Sequence, residues 1–195
     1  IKSLATVSLM SVASELFSNH NIINLPKGVK YTYQDIFTVL LHAATSVNNY
    51  LESASNDLKL KSSSSKIPSA DTIFSYIKGN SIEYVLSSFR AINSNLFKTM
   101  DIEGKVHDIS IDFNNIPFYG DENTPWIAGI KPKNGSSWGY SYCTLDIIGD
   151  IKLTLDVIAI NGFNKNYSDL ITFLFERLEK MQIKVGTVYL VPAAK

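Results

Sequence analysis

The side chains best suited to chemistry in this chain lie on one apolar segment, residues 106–120. Within it, Ile109 and Ile111 alternate with polar residues, the period of two expected of a strand with one buried face. The segment runs into Asp112, and Pro117 then interrupts regular strand pairing. A carboxylate at the end of a strand is held at a rigid point, so Asp112 is the first candidate for a functional acid.

The other titratable residues are weaker candidates. Asp108 precedes Asp112 by four residues, so it faces the same side of the strand and is either a supporting group or a solvated one. Asp146 and Asp156 belong to later strands; Asp146 could approach Asp112, but a place on a polar face suits both. The histidines share no spacing typical of metal ligands: His20, His42 and His107.

Basic and aromatic residues lie together in and beside the stretch 121–137, which predicts a loop. Lys131, Lys133 and Trp138, with Trp126 nearby, could hold phosphates and stack bases, so we predict DNA-binding roles for Lys131, Lys133 and Trp138. A solvated loop with packed tryptophans explains the same residues equally well.

The bulk properties favour a globular protein. The 195 residues are 45% hydrophobic, and 18 basic side chains balance 18 acidic ones, so net charge does not point to a polyanionic partner. Cys143 is the only cysteine, which excludes an intrachain disulfide and a cysteine zinc site and fits a cytoplasmic location. No apolar run reaches the roughly 18 residues that span a bilayer, so no membrane partner is expected.

The periodicity divides the chain into a helical part and a sheet part. Thr32, Ser69, Ser81 and Ser168 are predicted N-caps of four helices. The remaining predictions run in chain order: helices at 3–19, 33–51, 70–78 and 82–97; a polar break at 53–67; strands at 106–116, 138–149 and 151–160; a helix at 168–182; and a strand at 185–191.

These elements predict an α+β fold with a helical N-terminal domain, residues 1–100, and a sheet domain, residues 105–195. The strand-strand-strand-helix-strand order includes one crossover through a helix, which sets the last strand parallel to the first. That order is similar to the first half of an RNase-H-like mixed sheet. The ends of the first and last strands would then lie side by side.

Several segments resemble DDE-type insertion-sequence transposases, especially those common in archaea. The resemblance rests on Asp112 followed by Ile116-Pro117-Phe118-Tyr119-Gly120, on Lys131 with Gly139-Tyr140, and on Pro68-Ser69-Ala70-Asp71-Thr72 in the helical part. It extends over most of the chain, although the Asp112 segment is the specific part.

The resemblance implies cleavage and joining of double-stranded DNA at transposon ends, with two Mg²⁺ ions held by three carboxylates. Asp112 matches the first, catalytic and metal-binding, position. The second should follow Val188-Tyr189-Leu190, where Val191 stands, and the third would lie beyond Lys195. We therefore expect an inactive N-terminal portion of a transposase, whose intact parent would use Mg²⁺.

Two alternatives stay open from the sequence. One is a non-catalytic DNA-binding or dimerising module derived from a transposase, possible as a homodimer because half a sheet leaves an open edge. The other is a host or viral α+β protein unrelated to transposition, in which Asp112 is structural.

Overall fold

Helices come first and a sheet follows in the computed structural model, which describes residues 21–46, 50–62, 66–150, 152–161 and 166–191. The α+β class is therefore confirmed. The chain divides into two units, Ile1–Ile92 and Asn93–Lys195. The helix predicted at 3–19 lies outside the described residues.

Four helices precede the sheet within the described ranges: α1 (Tyr33–Thr45), α2 (Leu51–Lys61), α3 (Ala70–Ile77) and α4 (Ile82–Thr99). The predicted caps Thr32, Ser69 and Ser81 are confirmed, whereas the prediction for Ser168 was wrong because Asn166 caps the last helix. Thr32 and Asp35 form a capping box, because the Thr32 hydroxyl accepts from the Asp35 N–H and the Asp35 carboxylate accepts from the Thr32 N–H. Ser69 and Ser81 accept from backbone N–H groups three residues later.

The prediction of one helix over 33–51 and a polar break over 53–67 was wrong in part. The first helix ends at Thr45, and α2 occupies Leu51–Lys61. Residues 53–61 read as a break because they are polar, yet Ala54 and Ser55 give α2 a short buried face. The core of the first unit is aliphatic: Ile23, Ile36, Val39, Ala43, Ala54 and Ile73.

A mixed sheet of five strands, joined by one helix, forms the second unit within the described ranges. Its elements are β1 (Val106–Pro117), β2 (Ile127–Lys133), β3 (Ser136–Ile148), β4 (Leu153–Ile160), α5 (Tyr167–Lys180) and β5 (Lys184–Val191). The order is β2-β3-β1-β5, and β4 also pairs with β3. The predicted parallel pairing of the first and last strands is confirmed, because β1 and β5 run parallel while β1 and β3 run antiparallel.

The predicted loop over 121–137 is instead largely a hairpin. Ile127–Lys133 pairs with β3, and Asn134-Gly135 makes the turn with φ of 52° and 85°. Two consecutive positive φ angles are the requirement of the two-residue hairpin turn that Asn-Gly favours. The composition of the segment concealed the strand, because Gly129 and Pro132 are typical of loops.

The sheet buries one face. Ile109 and Ile111 of β1 are fully buried, as are Leu145 of β3 and Leu174 of α5. The same core includes Phe97 of α4, Cys143, Ile147, Leu155, Ile160, Leu178 and Ile183. Residues of β1 between the buried isoleucines therefore point to the opposite, more open face. No helix in the described part of the chain is long and apolar enough to cross a membrane.

Candidate functional site

Asp112 lies on the open face of the sheet, between β3 and β5. Its register partners are Thr144 of β3 and Val191 of β5. Strand β1 continues to Pro117 by pairing with β3, so Asp112 is not the last residue of its strand, as the sequence had suggested. It lies instead where the described pairing with β5 ends. Asn114 Nδ2 donates to Asp112 Oδ2 at 3.0 Å and orients the carboxylate.

A pocket of about 300 Å³ places Asp112 beside a second carboxylate, that of Asp146. Ser110 pairs directly with Asp146, so Asp112 and Asp146 are diagonal neighbours on the same face of two adjacent strands. Lys152 and Thr154 also line the pocket. Asp146 therefore does approach the carboxylate of Asp112. This proximity could have been predicted only from the register of β1 against β3.

Hydroxyl groups hold the Asp146 carboxylate in place. Thr144 Oγ1 donates to Asp146 Oδ2 at 2.7 Å, and Thr154 Oγ1 donates to Asp146 Oδ1 at 2.5 Å. Burial, with Asp112 and Asp146 both adding negative charge nearby, raises the pKa of the Cys143 thiol to about 12. Cys143 is therefore a protonated core residue and not a nucleophile.

The other two aspartates considered from the sequence have structural partners. Asp108 Oδ1 accepts from the Thr187 N–H at 2.8 Å, where the β1–β5 register shifts by one residue. A Cβ atom at Gly186 would come within 2.7 Å of the same oxygen, so glycine allows the strands to approach. Asp156 is fully buried against Arg177 and not on the polar face predicted for it.

The predicted DNA-binding residues are grouped with one another but not with Asp112. Lys131 and Lys133 lie on β2, and Trp138 pairs with Gly129 across the hairpin. Trp138 stands six residues along β3 from Thr144, the partner of Asp112, which corresponds to roughly 20 Å. The hairpin and the pocket are therefore separate surfaces of the sheet.

The histidines within the described residues have polar partners that account for their positions. His107 Nε2 lies 3.1 Å from the carbonyl oxygen of Ile102. His42 Nε2 lies 2.6 Å from Asp57 Oδ2, and Lys61 Nζ donates to the same oxygen at 2.7 Å. These contacts link α1 to α2, so His42 belongs to the packing of the first unit. His20 lies outside the described residues.

The pKa of Asp57 is held below its usual range, first by the hydrogen bond from Lys61 and then by that from His42. A lowered folded-state pKa stabilises the fold above the unfolded-state pKa, and that contribution is lost as pH falls through the folded-state value. We expect Asp57→Asn to reduce the thermal stability of the chain at neutral pH and to leave it unchanged at about pH 2. Melting curves between these limits test this; an equal loss at both ends would contradict it.

The donor set around Asp112 does not fit a pair of Mg²⁺ ions. Two such ions need several oxygen ligands at the shared edge, whereas the register partner of Asp112 on β5 is the apolar Val191. Asp146 is close, but both of its oxygens already accept hydroxyl protons. Within the described ranges, no three His, Cys, Asp or Glu side chains are grouped so that they could hold a metal ion.

The arrangement can nevertheless present one oriented carboxylate, a second fixed carboxylate and a lysine to a ligand on the open face. Sequence reasoning missed Lys152, Thr144 and Thr154, because their neighbourhood depends on pairing among three strands. No family model matches the chain, and comparisons with curated proteins and with solved structures also find no match.

Proposed function

We propose that the second unit is an RNase-H-like domain of the DDE transposase type, and that this chain binds double-stranded DNA without cutting it. The observation that carries the proposal is the parallel pairing of β1 and β5, which sets Asp112 beside Val191. The resemblance also implies the order of these elements: three strands paired in antiparallel fashion, a crossover helix, and a strand parallel to the first.

The same two positions, Asp112 and Val191, explain why we assign no DNA cleavage to this chain. In the intact parent that the resemblance implies, Mg²⁺ ions would stabilise the attacking and leaving oxygens of a phosphodiester. In this chain, Asp112 supplies one carboxylate to that edge and Val191 supplies none. A single carboxylate binds Mg²⁺ weakly, so we assign no cleavage step to the chain and keep DNA binding as its activity.

The hairpin of β2 and β3 is the proposed contact with the DNA backbone. Lys131 and Lys133 are exposed, and Trp138 is 39% exposed beside them. Two lysines that contact phosphates release counterions when they bind, which makes the affinity depend on salt. Trp138 could pack against a sugar or an unstacked base at the same place.

Substituting the two hairpin lysines tests this assignment. We expect Lys131→Ala/Lys133→Ala to weaken binding to a duplex and to reduce the slope of log K against log salt by about 2. Fluorescence anisotropy over a salt series measures both. Lys59→Ala/Lys78→Ala is the matched control, because it removes the same charge from exposed positions of the first unit and should leave the slope unchanged.

Two results would count against the proposal. If the unaltered chain does not bind duplex DNA at low salt, the DNA-binding assignment is wrong. If the same samples nick supercoiled DNA with Mg²⁺ or Mn²⁺, and Asp112→Asn abolishes the nicking, the assignment as a non-cutting protein is wrong. The non-catalytic, dimerising module stays the second candidate, because β5 leaves an apolar edge exposed.

A further inference from the structure

The outer edge of β5 is the least protected surface of the sheet. All eight residues of β5 are exposed, although β1 pairs with one side of the strand. Val188, Tyr189, Leu190 and Val191 are exposed by 38%, 50%, 52% and 47%. Four consecutive apolar residues therefore meet solvent on both faces of an edge strand whose second side pairs with no described strand.

The edge formed by β4 is better protected against pairing than the edge formed by β5. The β3–β4 register shifts by one residue near Leu155, and a bulge of this kind discourages pairing with another strand. The buried amide of Asn93 on α4 also donates to the carbonyl oxygens of Thr154 and Leu155, at 3.0 and 2.9 Å. Those acceptors are not available to an incoming strand, so this part of the β4 edge is blocked, whereas the edge of β5 is open.

The sequence of β5 offers little electrostatic protection. Lys184 begins the strand, and no charged residue follows up to Val191. The register shift at Gly186 and Thr187 bends the first half, which leaves residues 188–191 as the regular, pairing-competent part. Edge strands are usually blocked by lysine, proline or a bulge within such a stretch, and residues 188–191 contain none of the three.

We propose that β5 pairs in antiparallel fashion with β5 of a second copy of this chain. The segment is complementary to itself: in a two-fold arrangement centred on Tyr189, Val188 faces Leu190 of the other copy and the two Tyr189 side chains lie opposite each other. No charges oppose each other, because the two Lys184 side chains lie at opposite ends of the pair. Such an interface uses the same patch on both copies and closes after two.

The size of the patch fits a weak, reversible dimer. The exposed parts of Val185 and residues 188–191, backbone included, represent on the order of 400 Å² per copy, so a pair could bury at most about 800 Å². That total is at the lower end of specific interfaces, and main-chain hydrogen bonds along the edges would add to it. The pairing needs neither DNA nor the Asp112 pocket.

Sedimentation velocity over a concentration series tests the proposal. We expect the unaltered chain to dimerise at about 100 µM and to dissociate on dilution, and Leu190→Lys to be monomeric throughout. Leu60→Lys is the matched control, because Leu60 is 88% exposed on α2 and its replacement should leave the dimer intact. Tyr189→Lys, on the other face of the strand, should act like Leu190→Lys.

Hydrogen exchange locates the contact. Amides of residues 188–191 that point away from β1 should exchange at least tenfold more slowly at high concentration than after dilution. Thermal melting of each variant at low concentration verifies that the monomer is folded. A chain that is monomeric at the highest concentration, or that dimerises equally well as the folded Leu190→Lys and Tyr189→Lys variants, would overturn the proposal.

Discussion

Val191→Asp is expected to create a divalent-cation site on this chain. Register partners on adjacent parallel strands lie about 4.8 Å apart and point to the same face, so the introduced carboxylate would stand beside that of Asp112. Two adjacent carboxylates repel each other without a cation and bind Mg²⁺ or Mn²⁺ with it. At a cation concentration ten times Kd, binding would stabilise the variant by about 1.4 kcal/mol.

Calorimetric titration with Mn²⁺ measures the gain, and thermal melting with and without the cation provides a second readout. We expect the melting temperature of Val191→Asp to rise by about 3–6 °C on addition of the cation, and that of the unaltered chain to change little. The double variant Val191→Asp/Asp112→Asn should lose the gain, because one of the two carboxylates is then neutral.

Leu190→Asp is the matched control for this substitution. Leu190 precedes Val191 on β5, is similarly exposed, and pairs with Ile111 on the opposite face of the sheet. Either charge would weaken pairing of β5 with a second copy, so a difference between the two variants isolates the effect of Asp112. An equal response to Mn²⁺ from both variants would show that the β1–β5 register does not form the cation site.

The second large effect is expected at the ion pair between the sheet and α5. Arg177 Nε donates to Asp156 Oδ2 at 2.7 Å, and the Asp156 side chain is fully buried. The other carboxylate oxygen accepts from the Val157 N–H at 2.8 Å. Because Arg177→Met would remove the guanidinium that lies against this buried carboxylate, we expect it to lower the free energy of unfolding by about 3–5 kcal/mol.

Chemical denaturation measures the loss, and two further variants define its cause. Lys180→Met removes a cation from an exposed position on the same helix, and we expect a change within about 0.5 kcal/mol. Asp156→Leu/Arg177→Met removes both partners and should recover most of the stability, because apolar replacements of a buried pair are often neutral. If the double variant is as unstable as Arg177→Met, lost packing and not the loss of the guanidinium charge is the cause.

The sequence predicts much of the frame around Asp112. Alternation of apolar and polar residues locates β1, β3, β4 and β5, and the crossover through α5 predicts that β5 lies parallel to β1. This frame predicts that the ends of the two strands lie side by side, and the resemblance assigned the position beside Asp112 to Val191. Chain connectivity suffices for the direction of the pairing, because a crossover through a helix sets the two strands parallel.

Side-chain neighbourhoods across strands are harder to predict. The proximity of Asp146 to Asp112 depends on the register of β1 against β3, which no local pattern specifies. The irregularity at Leu155 sends Asp156 to the helix-covered face, where strict alternation had predicted a polar surface. Strand β2 was missed because its composition resembles a loop, although the Asn134-Gly135 turn was visible in the sequence.

The pairings of this sheet also impose an order on how it can assemble. Ile147 pairs with Leu153 only a few residues along the chain, whereas Val106 pairs with Lys184, which follows three further strands and a helix. Closing the longer loop costs more chain entropy before any contact repays it. We therefore expect β5, the strand beside Asp112, to pair last, after the antiparallel strands have formed. During synthesis, β1, β3 and β4, which carry residues that line the pocket, are therefore made and can pair before β5 exists.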